Sequence, residues 1–163
     1  MNFNKILICL DRNADRLTPV FERGLRLAEK EGSSLMLFHV VRQETLAELE
    51  DRVGTMSELN PTPALEQQGR RRRQELEHIR AWLDGLCGQA ADQGVSARSA
   101  VEVGSPGPAL VEMARNWGAD LIVLGRTRRS AWGDVLKGGV SHHVVHNAPC
   151  SVLFVHEDLS PTD

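Results

Sequence analysis

The residue types best suited to chemistry cluster in the last quarter of the chain. Gly138 and Gly139 open a stretch of helical character that runs to about Asn147, and Ser141 puts a hydroxyl in its first turn. A helix start offers unbonded amides and the positive end of a dipole. Glycine there lets an anion come close to the backbone. Gly125 ends an apolar run shortly before, and Asp11 ends the first apolar run of the chain. A carboxylate in that place can cap the helix that follows.

Other groups point to chemistry less directly. His142 and His146 stand at i, i+4 and could share a helix face toward a metal. No Glu sits between them as in a metalloprotease motif, so they read as solvated helix residues, with His146 a candidate contact to a partner copy. Arg70 to Arg73 form the most basic run. Glu66, Glu75 and Glu77 flank it, so it reads as a wet helix face with i, i+4 pairing. His39 lies within an apolar strand and reads as a core histidine. No GxGxxG follows the first strand, and GxxxxGK[S/T] and GxSxG do not occur. With no nucleophile placed beside a base, no catalytic residues are assigned.

The elements that must position these residues follow from periodicity. Lys5-Ile-Leu-Ile-Cys-Leu-Asp11 and Leu35-Met-Leu-Phe-His-Val-Val41 are strands buried on both faces. Leu17, Val20, Phe21, Leu25 and Ala28 recur at helical spacing between them, and Gly32 stops that helix. Residues 42–63 are polar, contain Gly54 and Pro61-Thr-Pro63, and are expected to form a mobile excursion. A long amphipathic helix follows, with Leu76, Ile79, Leu83, Leu86, Cys87 and Ala90 as its apolar stripe. Val95 to Val103 alternates like an edge strand. A short helix bears Leu110, Met113, Ala114 and Trp117. Asp120 to Leu124 is a fourth strand ending at Gly125, and Ser151 to His156 a fifth. Residues 157–163 are a polar tail. This order predicts one α/β domain over 1–163 with a doubly wound parallel sheet, whose ligands bind past the carboxyl ends of strands. Asp11 and Gly125 lie there.

Composition narrows the partners. The formal net charge of −3 gives no reason to expect a polyanion. Four Phe, three Trp and no Tyr offer little surface for base stacking. Cys9, Cys87 and Cys150 have no CxxC spacing, and Cys9 reads as a small buried hydrophobe. These features predict a soluble, cytoplasmic protein in a reducing compartment, without nucleic-acid or membrane partners.

Three segments carry a family likeness. Gly118-Ala-Asp-Leu-Ile-Val-Leu-Gly125, Gly138-Gly-Val-Ser-His-His-Val-Val-His-Asn-Ala-Pro-Cys150 and Ser151-Val-Leu-Phe-Val155 resemble the C-terminal half of universal stress proteins. The opening strand and Leu37-Phe-His-Val-Val41 are also similar. The resemblance implies a five-stranded sheet in the order 3-2-1-4-5 and a homodimer paired through the last strand. It implies an adenine nucleotide, ATP (with Mg2+) or AMP, whose phosphates lie in a G-x2-G-x9-G-[S/T] loop. Gly125 fills the first position and Gly138 the third, while Arg128 stands at the second glycine and Gly139 at the hydroxyl residue. Ser141 offers a hydroxyl nearby. The Arg128 guanidinium could pair with a phosphate or block its approach. Asp11 matches an acidic residue near the ribose and adenine, and Val41 a strand end whose backbone touches the base. Val41 reads equally well as a plain strand end. Three readings stay open: a nucleotide-binding stress or regulatory module, a nucleotide-free dimeric interaction protein of the same fold, and a weak ATPase.

Overall fold

Among the described residues strands and helices alternate along the chain. A computed structural model describes residues 2–11, 18–42, 63–126 and 139–156. The strands are β1 (Lys5–Cys9), β2 (Ser34–Arg42), β3 (Ala97–Gly104), β4 (Leu121–Arg126) and β5 (Ser151–His156). The helices are α1 (Thr18–Glu31), α2 (Pro63–Asp92), α3 (Pro106–Trp117) and α4 (Val140–Asn147). All strand pairs are parallel, in the order β3-β2-β1-β4-β5. This is the fold class that the sequence pattern predicts and the strand order that the family resemblance implies.

The core follows from the strand period of two. Ile6, Ile8 and Leu10 face one side, where they join Phe21 and Leu25 of α1 and Ile79 and Leu83 of α2. Leu7 faces the other, with Leu110 and Ala114 of α3 and Val144 of α4. Ile6, Leu7 and Ile8 are wholly buried, each contributing roughly 1.5–3 kcal/mol. Both faces of β1 are thus covered, which is why its sequence is a continuous apolar run rather than an alternating one. Gly24 allows α1 to lie close on β1, since a Cβ there would run into Ile8 Cδ1. Gly32, at φ 71, ends α1, and the Ser33 amide donates to the Ala28 carbonyl at 2.9 Å. That 6→1 bond across a left-handed glycine satisfies a carbonyl the helix leaves open.

Several predicted boundaries shift, each for a visible reason. β1 stops at Cys9, although the Leu10 amide carries its ladder one residue further by donating to Phe38 O at 2.9 Å. Val95 and Ser96 precede β3, because the Val95 amide closes the end of α2 on Ala90 O at 3.0 Å. β4 begins at Leu121 and passes Gly125 to Arg126, since Gly125 and Arg126 pair with Val155 and His156. Asp120 instead ties β4 to β1. Its Oδ2 accepts the Asn4 and Lys5 amides at 2.8 and 2.9 Å. The final helix begins at Val140, with Gly139 as its N-cap, whereas the sequence places its start at Gly138. Arg42 closes β2 and Pro63 opens α2. Residues 43–62 of the expected excursion, and the tail 157–163, lie outside the described residues.

Candidate functional site

The winding of the sheet reverses between β1 and β4. The chain moves outward from β1 through β2 to β3 on one side, and from β4 to β5 on the other. The helices that follow β1 and β4, α1 and α4, pack on opposite faces of the sheet, and in doubly wound sheets ligands bind past the carboxyl ends of strands at such a reversal. Register places Cys9 beside Leu124 and Phe38. Asp11 follows two residues after Cys9, Gly125 directly after Leu124, and Val41 three after Phe38. All three stand at the carboxyl edge of adjacent central strands. Asp11 is exposed, while Val41 and Gly125 are half-buried.

A buried side chain secures this edge. His39, 8% exposed, bonds through Nδ1 to the Leu10 carbonyl at 2.7 Å. A carbonyl only accepts, so Nδ1 carries the proton. The ring also meets Trp82 of α2 edge-on, at 6.1 Å between centroids. The peptide immediately before Asp11 is thereby fixed from β2. Sequence reasoning left His39 as a core residue. The signal for more was a donor inside a run of apolar residues, which needs a buried acceptor.

The start of α4 is built differently. Gly139 is its N-cap, with φ −70 and ψ 178, and among the described residues no side chain caps it. The first helical bond runs from the His143 amide to Gly139 O, at 3.1 Å, so the amides of Val140, Ser141 and His142 precede any helical partner. Ser141 is 5% exposed, and among the described residues its Oγ has no hydrogen-bond partner. Buried Val140 and Val144 anchor the helix. Gly107 brings α3 against it, as a Cβ there would lie 3.0 Å from His143 Cβ. Only a short connection separates Asn147 from β5, so α4 runs antiparallel to β5 and directs its N-terminus toward the carboxyl edge. Arg128 and Gly138 lie outside the described residues.

The remaining candidates fall elsewhere. A groove of about 440 Å3, lined by Pro108, Glu112, Arg115, His143 and Asn147 among others, follows the α3–α4 surface and includes none of the edge residues. Arg70 to Arg73 lie on α2, with Arg72 half-buried and the others exposed. The three cysteines are free. Burial, reinforced by the charge of Asp11, pushes the Cys9 thiol up to about 12. Burial also raises Cys87 and Cys150, so these thiols are held in the poorly nucleophilic protonated form. No helix among the described residues is long and apolar enough to cross a membrane.

The universal stress protein family model matches residues 2–156. The chain belongs to the universal stress protein family. Universal stress protein Sll1388 of Synechocystis is 34% identical over 95% of this chain and 99% of its own length. Solved structures of the family share the fold. A universal stress protein in complex with cAMP superposes at a TM-score of 0.63, with 20% identity over 97% of this chain and all of its own. A universal stress protein family protein of Arabidopsis thaliana with AMP bound gives 0.62, with 15% identity over 98% and 97% of the two chains. In the present universal stress protein the described residues bring Asp11, Val41 and Gly125 to one edge. They turn the Gly139–Ser141 helix start toward that edge.

Proposed function

We propose that this universal stress protein is a regulatory module that binds an adenine nucleotide, ATP or AMP, and acts as a homodimer. The observation that carries the reading is the start of α4, where among the described residues no side chain caps the helix and the buried Ser141 hydroxyl has no partner. A buried hydroxyl without a partner costs about 1–3 kcal/mol, and an oxyanion at that helix start would relieve it while meeting the dipole. Phosphates would sit on the amides from Gly138 to Ser141, with Gly125 permitting close approach and Arg128 pairing with the outer phosphates. Asp11 would accept the ribose hydroxyls, and the Val41 backbone would face the base. Mg2+ would accompany ATP, bound by the phosphates. That solved relatives hold AMP and cAMP supports the choice of an adenine nucleotide. The proposal assigns binding and no reaction. Three free cysteines suit a reducing compartment, and the proposed location is the cytoplasm.

Titration of wild type and Arg128→Gly against AMP and ATP tests the phosphate assignment. A fixed cation favours added phosphates, so wild type should bind ATP more tightly than AMP. Losing a charged hydrogen bond of about 1.5–3 kcal/mol should weaken ATP by about tenfold or more, with AMP affected less. Tighter ATP binding in Arg128→Gly would show that the guanidinium blocks the loop, which favours the nucleotide-free reading for the natural chain.

A further inference from the structure

α4 carries ring nitrogen on the side away from the core. Val140, Ser141 and Val144 are buried, and His142, Val145 and His146 are exposed. His142 and His146 stand one turn apart, so their side chains lie over the same face. Their rings approach to 4.4 Å between centroids, tilted by 55°. Among the described residues neither ring hydrogen-bonds to a protein group, so their nitrogens are open to an outside ligand. His143 is turned away toward Gly107 of α3.

Two imidazoles this close on one helix face are within reach of a single ion. With metal–nitrogen bonds of about 2.0–2.1 Å, two cis imidazoles bonded at about 90° have ring centres roughly 4.5 Å apart, and at a tetrahedral angle about 5 Å. The observed spacing fits the former, the arrangement of tetragonal Cu2+ and of octahedral Ni2+. We propose that His142 and His146 form a bidentate site for a divalent late transition-metal ion of the Ni2+ or Cu2+ class, with water completing the coordination. No third His, Cys, Asp or Glu joins them among the described residues. Among the described residues the pair is thus an open chelate on the helix surface. It depends on side chains of α4 alone, so its test is independent of nucleotide binding.

Calorimetric titration of the full chain with Ni2+ alone should show one ion per chain. His142→Gln and His146→Gln each leave a single imidazole, and each should lower affinity about tenfold or more, because the second ligand no longer acts at high effective concentration. His143→Gln should bind as wild type. With Cu2+ as the probe, electron paramagnetic resonance should count two coordinated nitrogens in wild type and His143→Gln, and one in either of the other variants. His142 and His146 are exposed and His143 is half-buried, and matching circular dichroism confirms that each variant is folded. No saturable Ni2+ binding up to millimolar concentration, or equal affinity in all four proteins, would overturn the assignment.

Discussion

At the scale of single residues, the chain uses buried polar groups sparingly and each has consequences. His39 is the clearest case, since one ring joins β2 to the peptide before Asp11. His39→Phe keeps an aromatic ring against Trp82 but removes the donor to Leu10 O. Leaving that carbonyl short of a partner should lower stability by about 1–3 kcal/mol, read as a lower urea midpoint at unchanged slope. A midpoint within error of wild type would mean that the bond contributes nothing. Cys9 gives a second test through pH. The folded chain holds the thiol proton up to about 12, against an ordinary value of 9.0. Above 9 the unfolded chain therefore releases protons that the folded chain keeps. The contribution of Cys9 is full below about 9 and drains as pH rises toward 12. Cys9→Val should flatten the loss of stability between pH 9 and 11, while Cys87 and Cys150, shifted the same way, leave part of the slope. An unchanged slope in Cys9→Val would exclude Cys9 as its source.

At the scale of elements, most of the sheet was legible in the sequence. The apolar runs around Leu7 and Leu37 have no alternation because helices cover both sides, and periodicity alone identifies that case. Boundaries were less legible, because they depend on partners distant in sequence. Nothing near Gly125 says that β4 continues to Arg126; the pairing with Val155 and His156 does. The coupling of His39 to Leu10 is likewise a contact between strands, invisible along the chain. β5 raises the question of assembly. It forms one edge of the sheet, and its Leu153 is 39% exposed while Val155 is buried. An unpaired apolar edge invites pairing with a copy of itself about a two-fold axis. Light scattering at micromolar concentration should give about twice the 18.0 kDa chain mass. Leu153→Glu should shift it to the monomer, since an unpaired charge buried in the joint costs several kcal/mol. A wild type that stays monomeric at high concentration would contradict pairing through β5.

At the scale of the whole molecule, the doubly wound sheet reverses its winding between β1 and β4 and turns the start of α4 toward their carboxyl ends. Strand ends and a helix start marked Asp11, Gly125 and Gly139 in the sequence, while Val41 entered only through the family resemblance. The sequence pattern could not show that the Ser141 hydroxyl is buried with no partner among the described residues, because that depends on how α3 and α4 pack over the sheet. The central claim is that this edge holds an adenine nucleotide. The most direct measurement is mass spectrometry of small molecules released on denaturing the purified protein, joined to calorimetry of the emptied, refolded chain with ATP, ADP and AMP. The account predicts a released adenine nucleotide, or saturable binding of one per chain that Gly138→Val abolishes by filling the space the phosphate needs. An empty protein that gives no heat with any of the three nucleotides would contradict it.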